Sequence, residues 1–223
     1  MQLMCLSAQG WNACTQTRMP ELGIIERLSD PYFLNAGSMT HIIAISGSLR
    51  AASYNTALLR AAQSYAPAGV TVEVVTLHDI PFFNEDVEAK DGWPASVRAL
   101  RDKIQAADAL LISTPEYNSG IPGVLKNAFD WISRSNAENP SVLFGKPTAL
   151  MGATPGGFGT AVAQGSCLPM LRALGVNLWA GQRMMVANAN TLFTDGELSN
   201  ADYQAQMQSF MQGLVQFVQA QAK

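Results

Sequence analysis

Ser48, Arg50, Ser53 and Asn55 stand close together in the stretch ISGSLRAASYN (residues 45–55), where an apolar run gives way to an alanine- and leucine-rich segment of helical character. A strand-to-helix turn needs a glycine and one capping residue, so this junction carries more hydrogen-bond donors than the turn requires. A helix N-terminus presents unpaired backbone N–H groups and the positive end of its dipole, which favours an anion. The hydroxyls and the amide add side-chain donors, and the Arg50 guanidinium adds a full charge and a fork able to meet two phosphate oxygens. These residue types in this order suit a monophosphate. The competing reading makes Ser53 or Asn55 a plain N-cap and Arg50 a solvated charge.

A second polar loop, Thr114-Pro115-Glu116-Tyr117-Asn118-Ser119-Gly120, follows another apolar run. Tyr117 can stack on a flat ring, and the Asn118 amide can both donate and accept. Here the alternatives are ordinary packing for Tyr117 and turn formation for Asn118. A phosphate cradle and a ring-edge loop side by side favour one ligand with both parts, which describes FMN. The Gly-Lys-Ser/Thr end of a Walker loop and the GxGxxG dinucleotide fingerprint are both missing, and the first loop holds no cysteine for a phosphatase.

The elements that must position these loops are legible in the hydrophobic pattern. Short apolar runs at 42–45, 70–76, 109–112 and 147–151 alternate with helical periodicity at 57–65, 96–107, 122–133 and 160–174. A fifth strand falls within 177–187, centred on Met184-Met185-Val186, and a C-terminal helix buries Met207, Phe210, Met211, Leu214 and Val218. Strands without a polar face require helices on both sides of the sheet. The expected fold is therefore α/β: a flavodoxin-like, doubly wound, five-stranded parallel sheet of order 2-1-3-4-5. Its switch point lies between the first and third strands, where both polar loops emerge.

Residues 1–38 lack periodicity and read as an N-terminal extension, poorly ordered or a misassigned start, ahead of one domain over 39–223. The alternative is an arm that packs on a partner. Of the 223 residues, 48% are hydrophobic and 14% charged, and the formal charge is −3. This balance supplies no basic field for nucleic acid. No apolar run is long enough for a membrane helix, and the expected compartment is the cytoplasm. Three cysteines without CxxC spacing and two histidines, His41 and His78, give no metal-ligand pattern and no disulfide framework. Ser166 and Cys167 lack the GxSxG setting of a hydrolase nucleophile.

GSLRAASYN together with TPEYNSGIPGVLKNAFDWISR resembles the NADPH-dependent FMN reductase family, in particular its bacterial quinone and chromate reductase branch, over about residues 40–220. The resemblance implies noncovalent FMN, NAD(P)H as co-substrate and a homodimer or homotetramer. It also implies that Ser48, Arg50, Ser53 and Asn55 hold the phosphate, with Leu49 and Tyr54 beside it. Pro115, Glu116, Tyr117 and Asn118 would meet the isoalloxazine, chiefly through backbone groups. Ala153 and Thr154 would touch the ring's edge, and Ala153 stands where relatives often carry serine. The helix at 122–133, with Lys126, Asn127 and Trp131, corresponds to a part of the family involved in subunit packing. No protein acid or nucleophile is required, because the chemistry lies on the cofactor. The expected activity is hydride transfer from NAD(P)H through FMN to an acceptor such as a quinone, chromate, an azo compound or free flavin. The alternative is an FMN-binding electron carrier of flavodoxin type without its own NAD(P)H site.

Overall fold

The computed structural model describes residues 39–221, so the proposed N-terminal extension lies outside the described residues. Four long or medium strands form the body of the sheet: β1 (Thr40–Ser46), β2 (Val70–Val75), β3 (Ala109–Ser113) and β4 (Pro147–Ala153). They pair in parallel in the order β2-β1-β3-β4, with Ser46 opposite Ser113 and Ser113 opposite Met151 at their carboxyl ends. That register brings the two polar loops out at one level on adjacent strands. The 2-1-3-4-5 order expected from the sequence is the order observed.

Each strand feeds two cores by simple alternation. Ile42 and Ala44 of β1, Leu111 of β3 and Met151 of β4 face one side. There they meet Leu58 and Leu59 of α1 (Tyr54–Ser64) and Phe210, Met211 and Leu214 of α6 (Ala201–Gln221). Ile43, Ile45, Leu110, Ile112 and Leu150 face the other side, against Ile104 of α3 (Ala95–Ala106), Leu125 and Phe129 of α4 (Gly123–Ile132), and Leu171 of α5 (Ala161–Ala173). Both faces of the sheet are covered, which is why its strands read as unbroken apolar runs. Among the described residues, no helix is long and apolar enough to cross a membrane.

The structure departs from the sequence expectation in three places. The fifth strand is two short pieces, β5 (Asn177–Leu178) and β6 (Met184–Val186), both paired with β4 and separated by an excursion through Trp179–Arg183. A further helix, α2 (Glu85–Asp91), buries none of its side chains, so it has no apolar stripe to betray it. It is held instead by the Asn84 cap and by Glu88, which accepts from the Trp93 indole and the Arg134 guanidinium. The third is a hairpin inside the hydrophilic 188–199 stretch, β7 (Phe193–Thr194) and β8 (Glu197–Leu198), turned by Asp195 and Gly196 at φ of 51° and 82°. Asp-Gly is the dipeptide such a turn favours.

Candidate active site

The first loop begins where Gly47 N–H donates to Ser113 O at 2.8 Å, tying the end of β1 to that of β3. Ser53 caps α1, its hydroxyl accepting from Asn55 N–H and Thr56 N–H at 3.2 Å each. Ser48 Oγ accepts from Arg50 N–H at 3.3 Å. Among the described residues, the backbone N–H groups of Leu49, Ala51, Ala52 and Tyr54 have no hydrogen-bond acceptor. They line the turn that leads into the helix. Arg50 is exposed; its guanidinium donates to Ala52 O at 3.0 Å and stands 5.8 Å from the centre of the Tyr54 ring. This places a cation beside the free N–H groups, where an anionic ligand would be met by both.

Asn55 is 2% exposed and its amide is engaged within the protein. Nδ2 donates to Ala153 O at 2.9 Å, while Oδ1 accepts from Ala153 N–H at 3.0 Å and from the Ser113 hydroxyl at 2.9 Å. One side chain therefore pins the N-terminus of α1 to the carboxyl ends of β3 and β4. His78 braces the same loop from outside, with Nε2 3.0 Å from Leu49 O and Nδ1 3.1 Å from the Thr76 hydroxyl. His41 sits at the amino end of β1, where its backbone N–H donates to Asp108, at the far end of the sheet from these loops.

In the second loop, Tyr117 and Gly120 exchange two backbone hydrogen bonds of 3.1 and 3.0 Å across Asn118 and Ser119, whose φ angles are 50° and 58°. This is a type I′ turn, and asparagine tolerates the left-handed conformation it needs. Asn118 thus serves the turn, as its competing reading held, and leaves Tyr117 half-exposed. The chain then enters α4, whose Asn127 and Trp131 both donate to Pro81 O at 2.9 Å. Trp131 is fully buried, and Lys126 is paired with Asp130, so the helix uses these side chains within its own chain.

The two loops and the end of β4 enclose a concavity of about 240 Å³ lined by Ser48, Arg50, Ser53, Tyr54, Asn55, Pro115, Glu116, Tyr117, Ala153 and Thr154. Every residue singled out from the sequence is in that lining except Leu49 and Asn118, and Pro155 joins it. The donors gather at the α1 end, while Pro115, Tyr117, Ala153 and Pro155 give the other end an apolar character. Next to Ala153 in β4, Gly152 has no room for a side chain: a Cβ there would lie 2.1 Å from Thr160 Oγ1 and 2.3 Å from Thr114 O. Cys167 takes no part: it is buried in α5, and that burial pushes its thiol up to about 12, leaving no thiolate nucleophile at neutral pH.

Residues 40–191 match the family model described as NADPH-dependent FMN reductase. The chain belongs to that family. It is 45% identical over 152 residues to an NAD(P)H-dependent FMN reductase of Pseudomonas aeruginosa, covering 68% of this chain and 80% of the relative. It is 36% identical over 171 residues to a 2-hydroxy-1,4-benzoquinone reductase of a Burkholderia species, covering 76% and 91%. Among solved structures it is similar to FerB, a flavoenzyme NAD(P)H:(acceptor) oxidoreductase from Paracoccus denitrificans, with a TM-score of 0.71 and 31% identity over 82% of this chain and 98% of that one. The protein is an FMN-dependent NAD(P)H oxidoreductase. The residues present fit the family's cofactor: backbone donors and a guanidinium that could meet a phosphate, and apolar side chains beside an exposed tyrosine that could meet a ring.

Proposed function

We propose that the concavity is the FMN site and that the protein reduces small quinones with NAD(P)H in a cytoplasmic homodimer or homotetramer, without nucleic acid or membrane partners. Chromate, azo compounds and free flavin are further acceptors of the same open site. When bound, FMN supplies the ring that takes up a hydride from the nicotinamide and returns it to the acceptor; the overall exchange consumes NAD(P)H, one proton and the quinone, and yields NAD(P)⁺ and the quinol.

The chain's own contribution is binding and orientation. The N–H groups of Leu49, Ala51, Ala52 and Tyr54, the hydroxyls of Ser48 and Ser53 and the guanidinium of Arg50 hold the phosphate. Asn55 acts one step removed, fixing Ala153 against β3 so that the ring end of the concavity keeps its distance from the phosphate cradle. Pro115, Glu116, Tyr117 and Asn118 border the ring through their backbone, with Leu49 beside the phosphate and Thr154 at the ring's edge. The observation that carries this reading is the single concavity shared by two loops with complementary chemistry.

The test is anaerobic. NADPH or NADH is expected to bleach the visible flavin absorbance of the FMN-loaded protein, and 1,4-benzoquinone is expected to restore it. Absorbance that survives both nicotinamides would overturn the reading and leave the protein a carrier in need of another reductase.

A further inference from the structure

The helix that follows the glycine-rich loop, α5, is capped from elsewhere in the chain. Its N-cap residue, Thr160, lies in the left-handed region at φ 66° and makes no side-chain cap bond. The Thr160 hydroxyl accepts instead from Gln164 Nε2 at 3.0 Å. The first helical N–H, that of Ala161, is taken by Phe158 O, and that of Gln164 by Thr160 O. The two between them, on Val162 and Ala163, both donate to Glu116 Oε2 at 3.0 Å. These are the positions an N-cap side chain ordinarily satisfies. Here a carboxylate from the loop after β3 does so, with the favourable sign for a helix N-terminus.

Among the described residues, these two bonds are the only hydrogen bonds between the 115–120 loop and the 154–164 segment. Both segments contribute to the concavity: Pro115, Glu116 and Tyr117 on one side, Thr154 and Pro155 on the other. The exposed part of the glycine-rich loop, Pro155 to Phe158, contains Gly156 and Gly157, and the backbone bonds of Thr154 with Val186 and Ala189 and of Gly156 O with Asn188 N–H tie the loop to the 186–189 segment and not to the Tyr117 side.

We propose that Glu116 is a positioning residue: its carboxylate latches the TPEYN loop to the N-terminus of α5 and sets the width of the ring end of the site before the cofactor arrives. The proposal rests on the FMN-site reading given above. It assigns the side chain a task separate from the backbone contacts expected of residue 116. Glutamine at this position keeps an oxygen that can accept both N–H groups, whereas alanine removes the acceptor and orphans both donors.

The experiment compares FMN-free wild type, Glu116→Ala and Glu116→Gln by amide hydrogen exchange and by FMN titration through flavin fluorescence. In Glu116→Ala, exchange is expected to rise across residues 115–120 and 154–163 while β1, β3 and β4 keep their protection. FMN affinity should fall about tenfold, with a changed visible absorbance envelope for the flavin that still binds. Glu116→Gln should recover most of the affinity and the wild-type envelope. An alanine variant that binds FMN within about twofold of wild type overturns the proposal, whether or not its loops exchange faster. A glutamine variant as impaired as alanine overturns it too, because the carboxylate charge and not the latch would then matter. Wild type that takes up no FMN would refute the functional reading itself, and the same titration reports that before any variant is compared.

Discussion

Arg50→Ala is expected to weaken FMN binding by about tenfold to hundredfold with the fold intact. The guanidinium is exposed and, among the described residues, makes one hydrogen bond, to Ala52 O, so its removal leaves no buried group unpaired there. Its stability cost should fall within the ~0.5 kcal/mol of an ordinary surface change. A hydrogen bond from a charged group to an anion contributes about 1.5–3 kcal/mol, which sets the expected loss of affinity. The free N–H groups and Ser48 remain, so binding is reduced and not abolished. Fluorescence titration with FMN and thermal unfolding, run on the same preparation, separate the two effects. Unchanged FMN affinity would move the Arg50 charge to another role, such as meeting the incoming nicotinamide dinucleotide. Lysine at position 50 should restore part of the affinity, since it returns the charge without the fork.

Asn55→Leu is expected to have the opposite profile: a large loss of stability, with loss of FMN binding as its consequence. The change removes the partners of Ala153 N–H, Ala153 C=O and the Ser113 hydroxyl at a site only 2% exposed. Each of these three buried groups left unsatisfied costs about 1–3 kcal/mol, so ~3–9 kcal/mol is at risk out of the ~5–15 kcal/mol that holds a typical domain. Chemical denaturation should show a midpoint shift of that order. A midpoint within experimental scatter of wild type would mean that β4 does not depend on this clamp. Asn55→Ser should be intermediate, because a short hydroxyl cannot span to Ala153 but admits water to the gap.

The contrast between these two residues shows what the sequence could and could not convey. Both stood in one polar stretch and both looked like phosphate ligands. Arg50 is exposed, so its guanidinium is left accessible for the role proposed for it. Asn55 is occupied by a residue 98 positions further along the chain, a contact that no local spacing encodes. Glu116 is a similar case: its partners at 162 and 163 belong to a helix that lies far along the chain and whose N-cap residue, Thr160, is in the left-handed region and makes no side-chain cap bond. The sheet order, by contrast, was legible because every central strand is buried on both faces and so reads as an unbroken apolar run. Elements that bury little escaped that signal. The α2 helix has no buried side chain, and the split of the fifth strand follows from the excursion through Trp179, which packs against Phe210 at 5.0 Å between ring centres. The β7–β8 hairpin is different again, since Asp195-Gly196 announced it within a stretch read only as hydrophilic.

Most directly at stake is the claim that the turn between β1 and α1 holds a phosphate while the loops beside it hold a ring. Calorimetric titration of the FMN-free protein with FMN and with riboflavin, which share the ring and differ in the phosphate, addresses both halves at once. One FMN per chain is expected, with an affinity for FMN at least about a hundredfold above that for riboflavin, the equivalent of ~3 kcal/mol from charge-assisted bonds to the phosphate. Equal affinities for the two flavins would contradict that claim.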